Sequence, residues 1–228
     1  VDILAYAPYQ ETTEDANGKV KVFGKTDYAF SVKEDQSNAE DYLSDLIVYK
    51  QTGFKPESDL NTNQAVNVAF THLLSQLNLT IELRDQFNQD EKKPVTSATV
   101  TDVKVDGTFI RSKVNFAADP ISVQIGGTQV PKAITPETVA FTKADKTTDH
   151  ATFKYSAIVI PQWIRAGVFC ISFKVNGNDY IWTSTSDVNF VSGKKHDLHL
   201  LVGKDVVQGG AISAKPWGEE TITEKETD

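Results

Sequence analysis

The sequence contains no methionine and a single cysteine, Cys170, among its 228 residues. One thiol cannot form an intrachain disulfide, so the fold has to be held by packing and backbone pairing. Cys170 sits between Phe169 and Ile171 in an apolar run and reads as a small buried hydrophobe rather than a reactive thiol. The missing initiator and the apolar opening "VDILAYAPY" lead to the expectation of a processed or trimmed product. No run approaches the roughly 18 consecutive apolar residues of a membrane-spanning helix, and no signal peptide is present. Basic residues are in deficit: 23 Lys and Arg against 31 Asp and Glu give a formal charge of −8. Such a chain repels phosphate backbones, which argues against nucleic acid as a partner.

What is present favours strands. Aromatics make up 10% of residues, and Val, Ile, Thr and Phe recur in short runs separated by Gly, Asn and Asp. A chain of this length buries roughly 70% of the surface its unfolded form exposes, enough for a real core. The expected class is all-β with sandwich architecture.

Along the chain, Val1 to Tyr9 reads as a strand that ends at Pro8, and Asn17-Gly18 followed by Val20 and Val22 reads as a hairpin. "SNAEDYLSDLIVYKQTG" suggests a helical turn opening at Ser37 or Asn38, then a strand over Leu46 to Tyr49; residues 54–64 read as a loop. In "VNVAFTHLLSQLNLTIEL" (Val66 to Leu83) the alternation of Val66, Val68 and Phe70 predicts a strand. Leu73, Leu74 and Leu77 fit one helical turn, and Leu79, Ile81 and Leu83 predict a second strand. The charged stretch Asp85 to Pro94 is the expected boundary between residues 1–94 and 95–228. Beyond it, "SATVTDVKV", "TFIRSKVNF", "ISVQIGG", "TVAFTK", "ATFKYSAIVIPQ", "VFCISFKVNG", "DYIWTSTS", "DLHLLVG" and "GAISA" read as strands. Asn176-Gly177 is the clearest hairpin turn, and "IGG" at Ile125 to Gly127 reads as another. The acidic tail "EETITEKETD" is polar enough to stay unpaired or to wait for a partner.

Catalytic constellations are missing. There is no G-x-S-x-G elbow, no phosphate-binding loop and no G-x-G-x-x-G. His72, flanked by Phe70, Leu73 and Leu74, has no carboxylate or second imidazole in local reach and reads as a packing histidine. His196 and His199 lie three apart in a strand, so their rings point to opposite faces and cannot share a metal. His150 reads as a solvated loop residue. The acid pairs Asp85/Asp90 and Glu219/Glu220 read as solvated charge, and nothing places two carboxylates in one hydrolytic cleft. Asn78-Leu79-Thr80 fits the glycosylation pattern but carries no functional weight. Trp163, Trp182 and Trp217 keep open a rival reading, a secreted carbohydrate-binding β-sandwich module. No catalytic residue, cofactor or metal site is expected, and the chain is read as no enzyme.

Several segments together resemble the fimbrillin family, the subunits of type V pili of gut and oral anaerobic bacteria. They are "ILAYAPY" (Ile3 to Tyr9), "DLIVYKQ" (Asp45 to Gln51), the stretch Val66 to Leu83, "AIVIPQ" (Ala157 to Gln162), "FVSGKKHDLHLLVG" (Phe190 to Gly203) and "ISAKPW" (Ile212 to Trp217). The resemblance implies two transthyretin-like β sandwiches in tandem, 1–94 and 95–228. It implies a fimbrial subunit or tip adhesin at the cell surface, on the outer membrane, whose membrane contact runs through a lipid anchor absent from this chain. Its partners would be other pilus subunits, joined by donor-strand exchange, and host or bacterial surface ligands. Only Val1 and Asp2 precede Ile3, so the first sandwich is expected to be incomplete here. The chain also stops soon after Trp217, which leaves a tip or accessory position as open as a stalk position.

Overall fold

A computed structural model of the chain describes residues 1–8, 24–38, 41–89, 94–146 and 149–217. About half of the chain, 51%, is strand and 5% is helix, and none of the sheets formed by the described residues closes into a barrel. The all-β expectation holds.

The longest-range pairing centres on the strand Ser75–Leu83. Its residues alternate strictly, with Ser75, Leu77, Leu79, Ile81 and Leu83 buried on one face. That period-2 pattern fixes the register, because a slip of one residue would turn every leucine outward. On one side it pairs antiparallel with Ala151–Val159, Leu79 opposite Tyr155. On the other it pairs in parallel with Lys194–Val202, Leu79 beside Leu198. The sheet continues through Glu137–Thr142 at one edge and Val207–Gly209 at the other, while Ser213–Pro216 pairs with the first half of Lys194–Val202.

A four-stranded sheet, in the order Asn178–Thr183, Cys170–Val175, Val100–Thr108 and Lys132–Ile134, and the short pair Gln162–Ile164 with Val188–Phe190 complete this part. Phe169 lies edge-on to Trp182 and Phe190, at 6.3 and 5.5 Å between ring centres, and Phe190 in turn lies edge-on to His196 at 5.1 Å. Edge-to-face packing of this kind lets large rings fill the space between layers without facing their like-charged π clouds.

Two three-stranded sheets form the remainder: Ile3–Ala7, Ile47–Gln51 and Thr71–His72 in one, Tyr28–Ser31, Arg111–Asn115 and Ser122–Ile125 in the other. Tyr6, Tyr28 and Phe116 join them, each ring 5.3 to 5.7 Å from the other two. Pairing therefore runs across Pro94 in two places: Tyr28–Ser31 with Arg111–Asn115, and Ser75–Leu83 with both of its neighbours. One continuous cluster of buried apolar residues extends from Tyr28 to Val202.

Three local expectations are corrected. Val66, Val68 and Phe70 alternate as a strand would, yet the segment has no ladder partner and lies exposed. Leu73 and Leu74 form no helical turn; their backbone is tied instead to Leu46 and Gly193. Apolar spacing alone cannot separate one turn of helix from an extended connection leading into a strand. "IGG" is a turn but joins no hairpin, since Ser122–Ile125 pairs back onto Arg111–Asn115 and the next strand, Lys132–Ile134, belongs to another sheet. Asn176-Gly177, by contrast, is a two-residue hairpin turn, with φ of 50° and 83° and Val175 opposite Asn178. Both positive angles are what a type I′ turn requires. The hairpin expected at Asn17-Gly18 and the acidic tail lie outside the described residues.

Gly107 supplies a direct test of this packing. It sits at φ 84° beside a register shift in Val100–Thr108, and a β-carbon there would lie 2.4 Å from the Val168 carbonyl oxygen. Both the angle and the backbone contact exclude a side chain. Gly107→Ala is expected to destabilise by about 1–3 kcal/mol or more, and Leu79→Ala by about 2–5 kcal/mol. Chemical denaturation of each variant measures this, and a Gly107→Ala midpoint equal to wild type would contradict the close approach.

Candidate functional site

Two kinds of surface carry chemistry or pairing capacity: the rims of the first sheet and the polar groups around His72.

At the rim, Ile3–Ala7 pairs only with Ile47–Gln51 among the described residues, so its outer edge faces no described strand. All five of its residues are half-buried. At the opposite rim, Thr71–His72 is a strand of two residues, preceded by the run 66–70, which joins no described strand and in which Val68 and Phe70 are 43% and 45% accessible. Exposed alternating apolar side chains leading into the rim of a sheet are a template for strand addition. Further exposed apolar residues, Val139 on the edge strand Glu137–Thr142 and Ile181 on the edge strand Asn178–Thr183, mark the other sheets.

His72 has the carboxylate partner that its sequence neighbours lack. Its Nδ1 lies 2.8 Å from Asp45 Oδ2, and its ring stacks on Trp217 at 3.9 Å between centres and 4° between planes. The partner comes from 27 residues away, across the Ile47–Gln51 and Thr71–His72 pairing that sets Ile47 opposite His72. No local reading could supply it. Burial pushes the Asp45 carboxyl above its ordinary range, an effect partly offset by the hydrogen bond and charge of His72. The other carboxylate oxygen, Asp45 Oδ1, is buried without a partner among the described residues, as is Gln76 Oε1. An unmet acceptor of this kind costs about 1–3 kcal/mol.

Trp217 is carried to His72 by Ser213–Pro216, and its own N–H bonds the Gly193 carbonyl at 3.1 Å. Lys215 adds an ion pair to Asp197 at 2.7 Å. Burial works against the Asp197 carboxylate, but Lys215 and Asn78 outweigh it and hold its pKa down. Asn78 spends its amide on that aspartate, at 2.8 Å, from the middle of a central strand, which explains why the glycosylation pattern there has no loop to display it.

His196 and His199 do point to opposite faces. His196 is 1% accessible and accepts a hydrogen bond from the Val191 N–H on Nε2 at 3.1 Å, whereas His199 faces outward and meets Glu82 Oε2 at 2.6 Å. His150, expected to be solvated and free, also meets Glu82, on Oε1. Partial burial disfavours the Glu82 carboxylate, yet the contacts from His150 and His199 prevail and its pKa is lowered. No group of three His, Cys, Asp or Glu among the described residues is disposed to hold a metal ion.

The remaining candidates divide cleanly. Trp182 is buried, with its indole against Gly209, and Trp163 is 54% accessible with the Arg165 guanidinium 5.9 Å above its ring. Cys170 is half-buried rather than buried, because it opens an inner strand where the sheet begins; burial, with Asp106 nearby, pushes its thiol pKa up. Asp85 caps its own loop through the Gln86 N–H, and Asp90, Glu219 and Glu220 lie outside the described residues.

A pH dependence follows from His196. Desolvation lowers its pKa below the ordinary imidazole value, so the folded state binds its proton less readily than the unfolded chain. Its contribution to stability is therefore complete above about pH 6.5 and is lost as pH falls through the lower folded value. His196→Gln, which keeps an acceptor for Val191, should lose less stability than wild type between pH 7 and 5 in thermal melts. Parallel pH profiles for the two proteins would show that His196 stays neutral for another reason.

Comparison with known proteins adds the wider frame. A family model described as fimbrillin-like matches residues 1–217. No curated protein matches the sequence. The structure is similar to that of a candidate cell adhesion protein of Bacteroides uniformis, with a TM-score of 0.60 and 21% identity over 95% of this chain and 72% of the other. It is also similar to a candidate cell adhesion protein of Bacteroides ovatus, with a TM-score of 0.62 and 15% identity over 96% of this chain and 68% of the other. At these identities the structural likeness speaks for the fold.

Proposed function

Because the chain belongs to the fimbrillin-like family, we propose that it is a non-enzymatic fimbrial subunit or adhesin of the bacterial cell surface that assembles by β-strand exchange. The observation that carries this reading is the exposed apolar pair Val68 and Phe70 in the run 66–70, which leads into the two-residue rim strand Thr71–His72 of the first sheet and joins no described strand. A strand laid there gains backbone partners and covers apolar side chains that are now exposed. Backbone pairing gives such a joint its affinity, and the alternate side chains give it specificity.

The strand to be added comes from outside the described fold. Ser213–Pro216 is already paired with Lys194–Asp197, and Ile212 and Trp217 pack against the core cluster. The C-terminal segment up to Trp217 thus serves its own chain. Nothing in this arrangement calls for catalysis: the carboxylates Glu82, Asp45 and Asp197 are each committed to histidine, lysine or asparagine partners. Adhesion then resides in the exposed surface, and attachment to the outer membrane in a lipid anchor.

A peptide of alternating apolar residues taken from a donor subunit tests this. A ligand selective for the folded state stabilises it by mass action, so at a hundredfold excess over Kd the melting temperature should rise by roughly 5–10 °C. A scrambled peptide of the same composition should have no effect. Equal responses to the two peptides, or none to either, would count against strand exchange at this rim.

A further inference from the structure

Next to the stacked rings of His72 and Trp217 lies a cavity of about 200 Å³ that strand exchange leaves unused. Asp45, His72, Gln76, Glu137, Ser156 and Trp217 contribute to its lining. These residues come from the first sheet, from the edge and centre of the six-stranded sheet, and from the end of the C-terminal strand.

The two buried side-chain atoms that lack a hydrogen-bond partner among the described residues, Asp45 Oδ1 and Gln76 Oε1, both belong to this lining. Each is an acceptor. Neither is reached by the donors around it. His72 Nδ1 serves Asp45 Oδ2, and Gln76 Nε2 donates to Ser156 Oγ at 2.8 Å. Gln36 Nε2 donates to the Lys33 and Ile158 carbonyls, and its Oε1 accepts from the Ile158 N–H. The site therefore asks for hydrogen-bond donors that the described fold does not supply.

Charge points the same way. Two carboxylates, Asp45 and Glu137, line the cavity, and no lysine or arginine does. A neutral hydroxyl ligand would bring donors but no charge to set against the Glu137 carboxylate. A metal ion finds no suitable set of three ligands among the described residues. An ammonium group brings donors and positive charge together, without any acceptor of its own.

We propose that this cavity binds a primary alkylammonium group, the chemistry of a lysine side-chain end presented by a partner protein, with Asp45 Oδ1, Gln76 Oε1 and the Glu137 carboxylate receiving its N–H donors. The methylenes of such a group lie against the Trp217 ring, as lysine stems do on apolar surface. Both orphan acceptors are sealed from solvent in the present arrangement. Entry of the ammonium group therefore shifts Trp217, which closes one side of the cavity from the end of Ser213–Pro216.

The indole N–H signal of Trp217 in the isotope-labelled isolated chain reads this directly and needs no donor strand. Titration with butylammonium, and with a short lysine-containing peptide, should give a saturable shift of that signal, whereas tetramethylammonium at the same ionic strength should give none. Tighter binding of the peptide marks a protein-borne lysine as the natural source, and equal affinity marks the amine alone as sufficient. Asp45→Asn should weaken binding at least tenfold, the loss of a charged hydrogen-bond acceptor. Glu137→Gln changes an exposed residue, is expected to fold normally, and should weaken binding severalfold. The proposal is overturned if neither amine gives a saturable shift, if tetramethylammonium does as well, or if both variants titrate like wild type.

Discussion

The register of Ser75–Leu83 is the constraint on which the rest of the structure depends. It is the strand that meets one neighbour antiparallel and the other parallel, and a parallel pair can be made only after a long crossover. Everything between residues 83 and 194 is that crossover. The inward row of Leu77, Leu79, Ile81 and Leu83 sets which side of the sheet is core. Once that side is chosen, Leu198, Leu200 and Val202 must face the same way, and so must Phe153 and Tyr155. The same choice sends His196 inward, neutral and accepting from Val191, and His199 outward to Glu82.

The C-terminal strand completes what this register begins. Ser213–Pro216 adds to Lys194–Val202 and delivers Trp217 onto His72, which itself belongs to the edge strand of the first sheet. One tryptophan thereby touches both sheet systems. The stack also closes the polar cavity behind it, where Asp45 and Gln76 each keep an unmet acceptor. Proteins tolerate such unmet groups where they serve another purpose, and the cost is small against the burial around it. The exposed residues Val68 and Phe70 lead into the same first sheet at Thr71–His72.

Much of this was legible in the sequence, and the failures have physical causes. Every strand expected after Pro94 exists, because apolar alternation between Gly and Asn turns is a signal each strand carries by itself. Lys132–Ile134, Gln162–Ile164, Val188–Phe190 and Val207–Gly209 went unseen; three residues are too few to show a period. Val66 to Phe70 carried the period without the partner, since alternation reports which residues share a face and not whether a neighbouring strand arrives. The opposed faces of His196 and His199 followed from spacing alone. The partners of His72, Asp45 and Trp217, lie 27 and 145 residues away, and that of His150, Glu82, lies 68 away, so only the fold could bring them together.

The central claim is that the run 66–70, leading into the rim strand Thr71–His72, is the joint at which another subunit adds a strand. Amide hydrogen exchange along that run, measured in the isolated chain and in assembled fimbrial material, tests it most directly. The account predicts that the amides of residues 66–70 exchange freely in the isolated chain and become strongly protected on assembly, while those of Ser75–Leu83 are protected in both. Unchanged exchange along 66–70 in the assembled state would contradict it.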